Sequence, residues 1–147
     1  MKLGFIGLGI MGAPMAGHLR AAGHDLFVST RSRVPAALLS AGAVACNSAA
    51  DVAQQADVIV TMVPDTPDVE QVLFGPGGVA EGLLASPGGG EHRAAKTVVD
   101  MSSISPIATK AFASKINALG ADYIDAPVSG GEVGAKAASL TRSEEVV

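Results

Sequence analysis

An α/β fold with a doubly wound, mainly parallel sheet is the architecture this sequence predicts, on two observations. Short apolar runs that read as buried strands alternate with segments that read as helices, the pattern of right-handed crossovers on a parallel sheet. The first run, residues 3–6, leads into Gly7-Leu8-Gly9-Ile10-Met11-Gly12 and then an apolar helix over residues 13–22. A strand, a G-x-G-x-x-G turn and a helix in that order form the opening unit of a Rossmann-type fold. Gly7 lets the chain turn tightly off the strand. Gly9 has no Cβ, so a pyrophosphate can approach the backbone, and Gly12 lets the helix pack close to the strand. The helix start adds N–H groups and a partial positive charge. Residues 7–12 are therefore expected to hold a dinucleotide. The alternative, a glycine turn without a ligand, is less compatible with the flanking strand and helix.

The remaining elements follow in order. Ala22-Gly23-His24-Asp25 ends the first helix, and residues 26–29 read as a second strand. Residues 35–41 read as a short helix closed by Gly42, and residues 44–46 as a brief third strand. Ser48, with Asp51 three residues on, caps a helix over 49–56. Residues 57–63 are β-branched and closed by Pro64, a clear strand. A helix over 67–73 follows, capped by Asp65 or Thr66, then a turn over 74–78 and one or two helical turns over 79–84. Residues 86–93, rich in glycine, read as an exposed loop. Residues 97–100 read as a strand. Ser105-Pro106 starts a helix that runs to Leu119, with Ala108, Phe112, Lys115 or Ile116, and Leu119 on its core stripe and Gly120 as its stop. Residues 123–125 read as a sixth strand, 126–134 as a glycine-rich loop, and 137–141 as the start of a seventh strand. With no repeat and no linker, residues 1–147 are expected to form one domain.

Composition limits the function classes. The chain is 48% hydrophobic but only 3% aromatic, with 18 Gly and no Trp, which suits small side chains packed between helices and a sheet. With a net charge of −4, nothing points to nucleic acid or to an anionic membrane as a partner. Cys46 is the single cysteine, so no internal disulfide forms; it reads as a small apolar residue in a reducing compartment. No apolar window reaches the ~18 residues of a membrane span, and no signal peptide is evident, so a cytoplasmic location is expected. His18, His24 and His92 have no partner at metal-ligand spacing, and no metal site is expected.

The end of the second strand decides the type of dinucleotide. An acid about 20 residues past the glycines would hold the ribose hydroxyls of NAD. This chain has Ser29-Thr30-Arg31-Ser32-Arg33 instead, with no carboxylate. A guanidinium donates two parallel charge-assisted bonds to a phosphate. NADP(H) is therefore the preferred cofactor, with NAD(H) possible. Arg31 is placed on the 2′-phosphate, with Thr30 or Ser32 assisting. Solvated loop charges are the alternative for Arg31 and Arg33. At the carboxyl ends of later strands, Ser129-Gly130-Gly131 offers a hydroxyl and unobstructed N–H groups to a carboxylate, although such a turn is often only flexible.

Residues 7–16, Asp100-Met101-Ser102-Ser103-Ile104-Ser105-Pro106 and Asp125-Ala126-Pro127-Val128-Ser129-Gly130-Gly131 together resemble the β-hydroxyacid dehydrogenases, in order and spacing. The matching motifs run from residue 1 to about residue 141. The resemblance implies hydride transfer between a nicotinamide and a small 3-hydroxy acid or its aldehyde. It implies that Val63 and Pro64 line the cofactor, that Ser103 lies near the nicotinamide, and that Ser129, Gly130 and Gly131 bind the substrate carboxylate. It also implies a homo-oligomer for the full-length family, and a second, helical domain carrying the catalytic lysine. No residue here matches that lysine. Lys136 follows the Ser-Gly-Gly turn too closely and reads as a solvated charge, so no catalytic residue is assigned on this chain. The family pattern is also departed from in the longer stretch over 86–96 and in the charged ending over 141–147. The alternative function is a module that binds the dinucleotide and turns nothing over.

Overall fold

A computed structural model describes residues 1–86 and 95–147. β1 (Lys2–Ile6) leads through the glycine turn into α1 (Gly12–Ala21) and returns as β2 (Asp25–Ser29). The chain continues through α2 (Ala36–Ser40), β3 (Val44–Ala45), α3 (Ala49–Gln55), β4 (Val58–Thr61), α4 (Thr66–Phe74) and α5 (Val79–Ala85). β5 (Thr97–Asp100), α6 (Pro106–Ala118) and β6 (Asp122–Asp125) follow. The last segment holds β7 (Val128–Ser129), α7 (Gly131–Lys136), β8 (Thr141–Arg142) and β9 (Glu145–Val146). The loop expected over 86–93 lies, beyond Ser86, outside the described residues, as does His92.

The sheet order is β3-β2-β1-β4-β5-β6-β9. Strands β1 to β6 pair in parallel, and β9 runs antiparallel to β6. The predicted doubly wound, mainly parallel sheet is thus observed. Alternate residues of each strand feed opposite cores, as the pleat requires. Phe5, Val28 and Val60 pack with Ala16 of α1 and Leu38 of α2 on one face. Ile6, Ile59, Val98 and Tyr123 pack on the other with Val52, Val69, Leu73, Leu83, Phe112 and Ile116 from α3 to α6. Because both faces are covered, the strand interiors are apolar, with polar residues mostly at the strand ends.

Three expectations are corrected. Residues 126–134 are not simply a loop: they contain β7 and most of α7. Residues 137–141 do not begin a strand of the main sheet. Thr141 belongs to β8, which pairs with β7 in a separate two-stranded ribbon, and the seventh strand of the main sheet is β9. On α6 the fully buried positions are Thr109, Phe112, Ala113 and Ile116, with Ala108 and Leu119 only partly buried. Between the two residues left open for that stripe, Ile116 is the buried one. The Lys115 ammonium lies 4.9 Å over the Phe74 ring.

Candidate functional site

The chain order of the strands reverses at β1, which lies between β2 and β4. At such a switch point the crossovers leave in opposite directions and open a crevice at the carboxyl ends of the strands. A groove of about 910 Å³ occupies this position, a volume in the range of cofactor sites. Its walls include Gly7, Leu8, Gly9, Ile10, Met11, Gly12, Thr30, Arg31, Ser32, Val63, Pro64 and Ser103. Every residue assigned from sequence to the cofactor is therefore brought to one groove. Ser129, Gly130 and Gly131 do not line it; they form the junction of β7 and α7 at the same end of the sheet.

The three glycines differ in their surroundings. Gly7 has φ +97°, and a Cβ there would lie 2.1 Å from the Met62 carbonyl oxygen, so the turn is pressed against the exit of β4. A Cβ on Gly12 would meet the Gly7 carbonyl oxygen at 1.8 Å. At Gly9 nothing lies within 4 Å of the same position, so this backbone faces open space. The start of α1 has no side-chain cap on Met11 and no acid in its first turn, leaving its positive end uncompensated by the chain's own side chains. An open backbone beside an uncompensated helix start fits a pyrophosphate.

Thr30 ties the end of β2 to this turn, accepting the Leu8 N–H at 3.5 Å. Arg31 is 70% exposed and forms an ion pair with Asp68 on α4. Asp68 is held in turn: its Oδ2 accepts the Asp65 N–H at 3.1 Å, within a capping box at the start of α4. Asp65, one of the two caps left open by the sequence, is the N-cap residue.

Beneath Val63 lies a buried polar network whose role sequence reasoning missed. The Asp100 carboxylate accepts the Thr61 hydroxyl at 2.9 Å, the Ser102 N–H at 3.0 Å and the Tyr123 hydroxyl at 3.2 Å. Ser102 Oγ accepts the Val63 N–H at 3.0 Å. Asp100, Thr61, Ser102 and Tyr123 have no solvent exposure. Burial raises the Asp100 carboxyl above its ordinary range, while the bonds from Ser102, Thr61 and Tyr123 act in the opposite direction. Burial, and then the Asp100 charge, raise the Tyr123 phenol above its own. The signal in the sequence was two polar residues, Thr61 and Asp100, ending apolar strands; their direct pairing across β4 and β5 emerges only with the register.

The other charged candidates have structural partners. His18 Nε2 lies 2.8 Å from the Ala135 carbonyl oxygen and 3.1 Å from that of Lys136, so it donates to the last turn of α7. Lys136 pairs with Glu132 at 2.6 Å on the exposed side of α7. The partly buried Cys46 has its thiol raised by burial and then by the Asp51 charge. Among the described residues, no helix is long and apolar enough to cross a membrane.

Comparison with known proteins agrees with this geometry. Residues 2–142 match the family model described as the NAD binding domain of 6-phosphogluconate dehydrogenase. The chain is 55% identical over 141 residues to 2-hydroxy-3-oxopropionate reductase of Escherichia coli K12, covering 96% of this chain and 45% of that protein. It resembles the crystal structure of a 3-hydroxyisobutyrate dehydrogenase from Salmonella typhimurium with a TM-score of 0.81 and 34% identity, over 97% of this chain and 47% of that one. It also resembles Psf3 in complex with NADP+ and 2-OPP, with a TM-score of 0.85 and 29% identity, over 99% of this chain and 49% of that one. The chain spans about half the length of the proteins it matches. With its glycine turn, its sheet order and nearly its whole length accounted for, the chain belongs to the family of the NAD-binding domain of 6-phosphogluconate dehydrogenase, among β-hydroxyacid dehydrogenase relatives.

Proposed function

We propose that residues 1–147 form the NADP-binding domain of a cytoplasmic oxidoreductase that moves a hydride between NADPH and a small 3-oxo or 3-hydroxy acid, with tartronate semialdehyde and glycerate as the substrate pair. The observation that carries this reading is the convergence of the glycine turn, the end of β2 and the Val63, Pro64 and Ser103 wall on one groove. The nicotinamide, when bound, supplies the hydride. Gly9 and the start of α1 would hold its pyrophosphate, Arg31 its 2′-phosphate, and Val63 and Pro64 would form the wall beside the reacting ring with Ser103 nearby. Ser129, Gly130 and Gly131 would hold the substrate carboxylate. The names of the reductase and of the NADP+-bound structure support the substrate and the cofactor respectively. Hydride delivery to an aldehyde leaves a developing alkoxide that needs a proton donor. No residue of this chain is assigned that role, and the Glu132 partner of Lys136 supports a solvated part for that lysine.

Fluorescence titration of the chain with NADPH and NADH tests the cofactor assignment. NADPH is expected to bind more tightly, and Arg31→Asp should lower the NADPH-to-NADH affinity ratio by about tenfold or more, the size of a lost charge-assisted bond. An unchanged ratio would overturn the role of Arg31. Loss of NADPH absorbance on adding tartronate semialdehyde to this chain alone would show that the proton donor need not come from elsewhere. Binding without turnover favours a non-catalytic cofactor module. Turnover of 3-hydroxyisobutyrate in preference to tartronate semialdehyde would favour that dehydrogenase activity instead.

A further inference from the structure

The guanidinium assigned to the 2′-phosphate already has an anionic partner. Arg31 pairs through Nη2 with Asp68 Oδ1, and the two residues are unequal in freedom. The Arg31 side chain is 70% exposed, whereas that of Asp68 is 23% exposed. Asp68 is fixed by two bonds of the first turn of α4: Oδ2 accepts the Asp65 N–H, and its own N–H donates to the Asp65 carbonyl oxygen at 3.0 Å. It cannot leave without undoing the capping box, so any rearrangement falls to Arg31.

We propose that Asp68 is a specificity-determining residue that sets the balance between NADPH and NADH by competing with the 2′-phosphate for Arg31. The proposal rests on the dinucleotide reading of the groove. A 2′-phosphate must share or win the guanidinium from Asp68 and lie near a fixed carboxylate of like charge. A neutral 2′-hydroxyl meets neither obstacle, because it carries no charge and leaves the Arg31–Asp68 pair intact. Asp68 therefore narrows the NADPH preference that Arg31 alone would confer. Arg31 reads the phosphate, and Asp68 acts through it as a positioning residue.

The test is titration of the full chain with NADPH and with NADH, monitored by nicotinamide fluorescence, for the wild type, Asp68→Asn and Asp68→Ser. Both replacements keep an oxygen that accepts the Asp65 N–H, and thermal unfolding followed by circular dichroism checks that each variant folds. The expected result is an NADPH Kd lowered about tenfold in either folded variant, with the NADH Kd within about twofold of wild type, the scale of one competing charge pair. A helix-capping role alone would shift both cofactors together. Equal shifts, or an unchanged NADPH-to-NADH ratio, would overturn the role of Asp68 while leaving the groove's function intact. A folded wild-type chain that binds neither dinucleotide would overturn the dinucleotide reading and this proposal with it.

Discussion

A carboxylate sealed from water needs donors, and Asp100 has them from Thr61, the Ser102 backbone and Tyr123. Burial still holds its pKa above the ordinary range. Asp125, on the next strand, is raised by its own burial and then by the charges of Asp100 and Glu145. A carboxyl raised by folding binds its proton more tightly folded than unfolded. Its destabilising contribution is fully present above the folded-state pKa and is relieved as pH falls towards the unfolded value. Asp100→Asn should therefore flatten the dependence of stability on pH in the acid range, relative to wild type, in urea unfolding run as a pH series. An unchanged slope would count against a raised Asp100. Asp100→Ala should cost about 2–3 kcal/mol at neutral pH, because it strands buried donors. The position of Arg31 at the groove was legible in the sequence because the end of β2 lies beside the switch point of the sheet. Asp100 was visible as a residue but not as a hub, since Thr61 and Tyr123 reach it only once three strands are in register.

At the scale of elements, the legible helices are those whose signals are local. Ser48 accepts the Asp51 N–H at 3.1 Å and starts α3, and Ser105-Pro106 starts α6, both as the residue types require. α7 was illegible for the opposite reason. Its sequence, Gly131-Glu132-Val133-Gly134-Ala135-Lys136, has poor helix propensity, and Gly130 and Gly131 both take positive φ. It is held by distant residues: Gly134 and Ala135 are buried, and His18 of α1, 117 positions before Ala135, donates to its terminal carbonyls. The Ala135 carbonyl also accepts the Ala138 N–H at 3.3 Å just past the helix, and His18 adds the bond that ties this turn to α1. His18→Leu should therefore fray α7 and speed exchange of its amides about fivefold, on the scale of a ~1 kcal/mol hydrogen bond, with β1 and β4 unaffected. Hydrogen exchange read by NMR checks this; uniform acceleration across the sheet would mean that His18 supports the whole fold instead.

Over the whole molecule, the sheet order and both cores follow from apolar runs long enough to show their period. β7, β8 and β9 are two residues each, too short to carry one. The carboxyl end of the sheet also carries exposed apolar side chains from three separate segments: Ile10 in the glycine turn, Ile107 at the start of α6 and Val133 on α7. Such side chains promote association when they form a shared patch. Light scattering of this chain should show a mass that rises with concentration, and Ile107→Glu with Val133→Glu should suppress the rise. A monodisperse monomer at high concentration would overturn the expectation. The groove itself divides into two materials. Its floor is interior: Gly7 is wedged against Met62, and Val63 hangs from the buried Ser102. Its edge at Arg31 is surface, where exchanges usually change stability by no more than about 0.5 kcal/mol. Substitutions can therefore accumulate at that edge at little cost in stability, while the floor, bound into the fold, tolerates almost none.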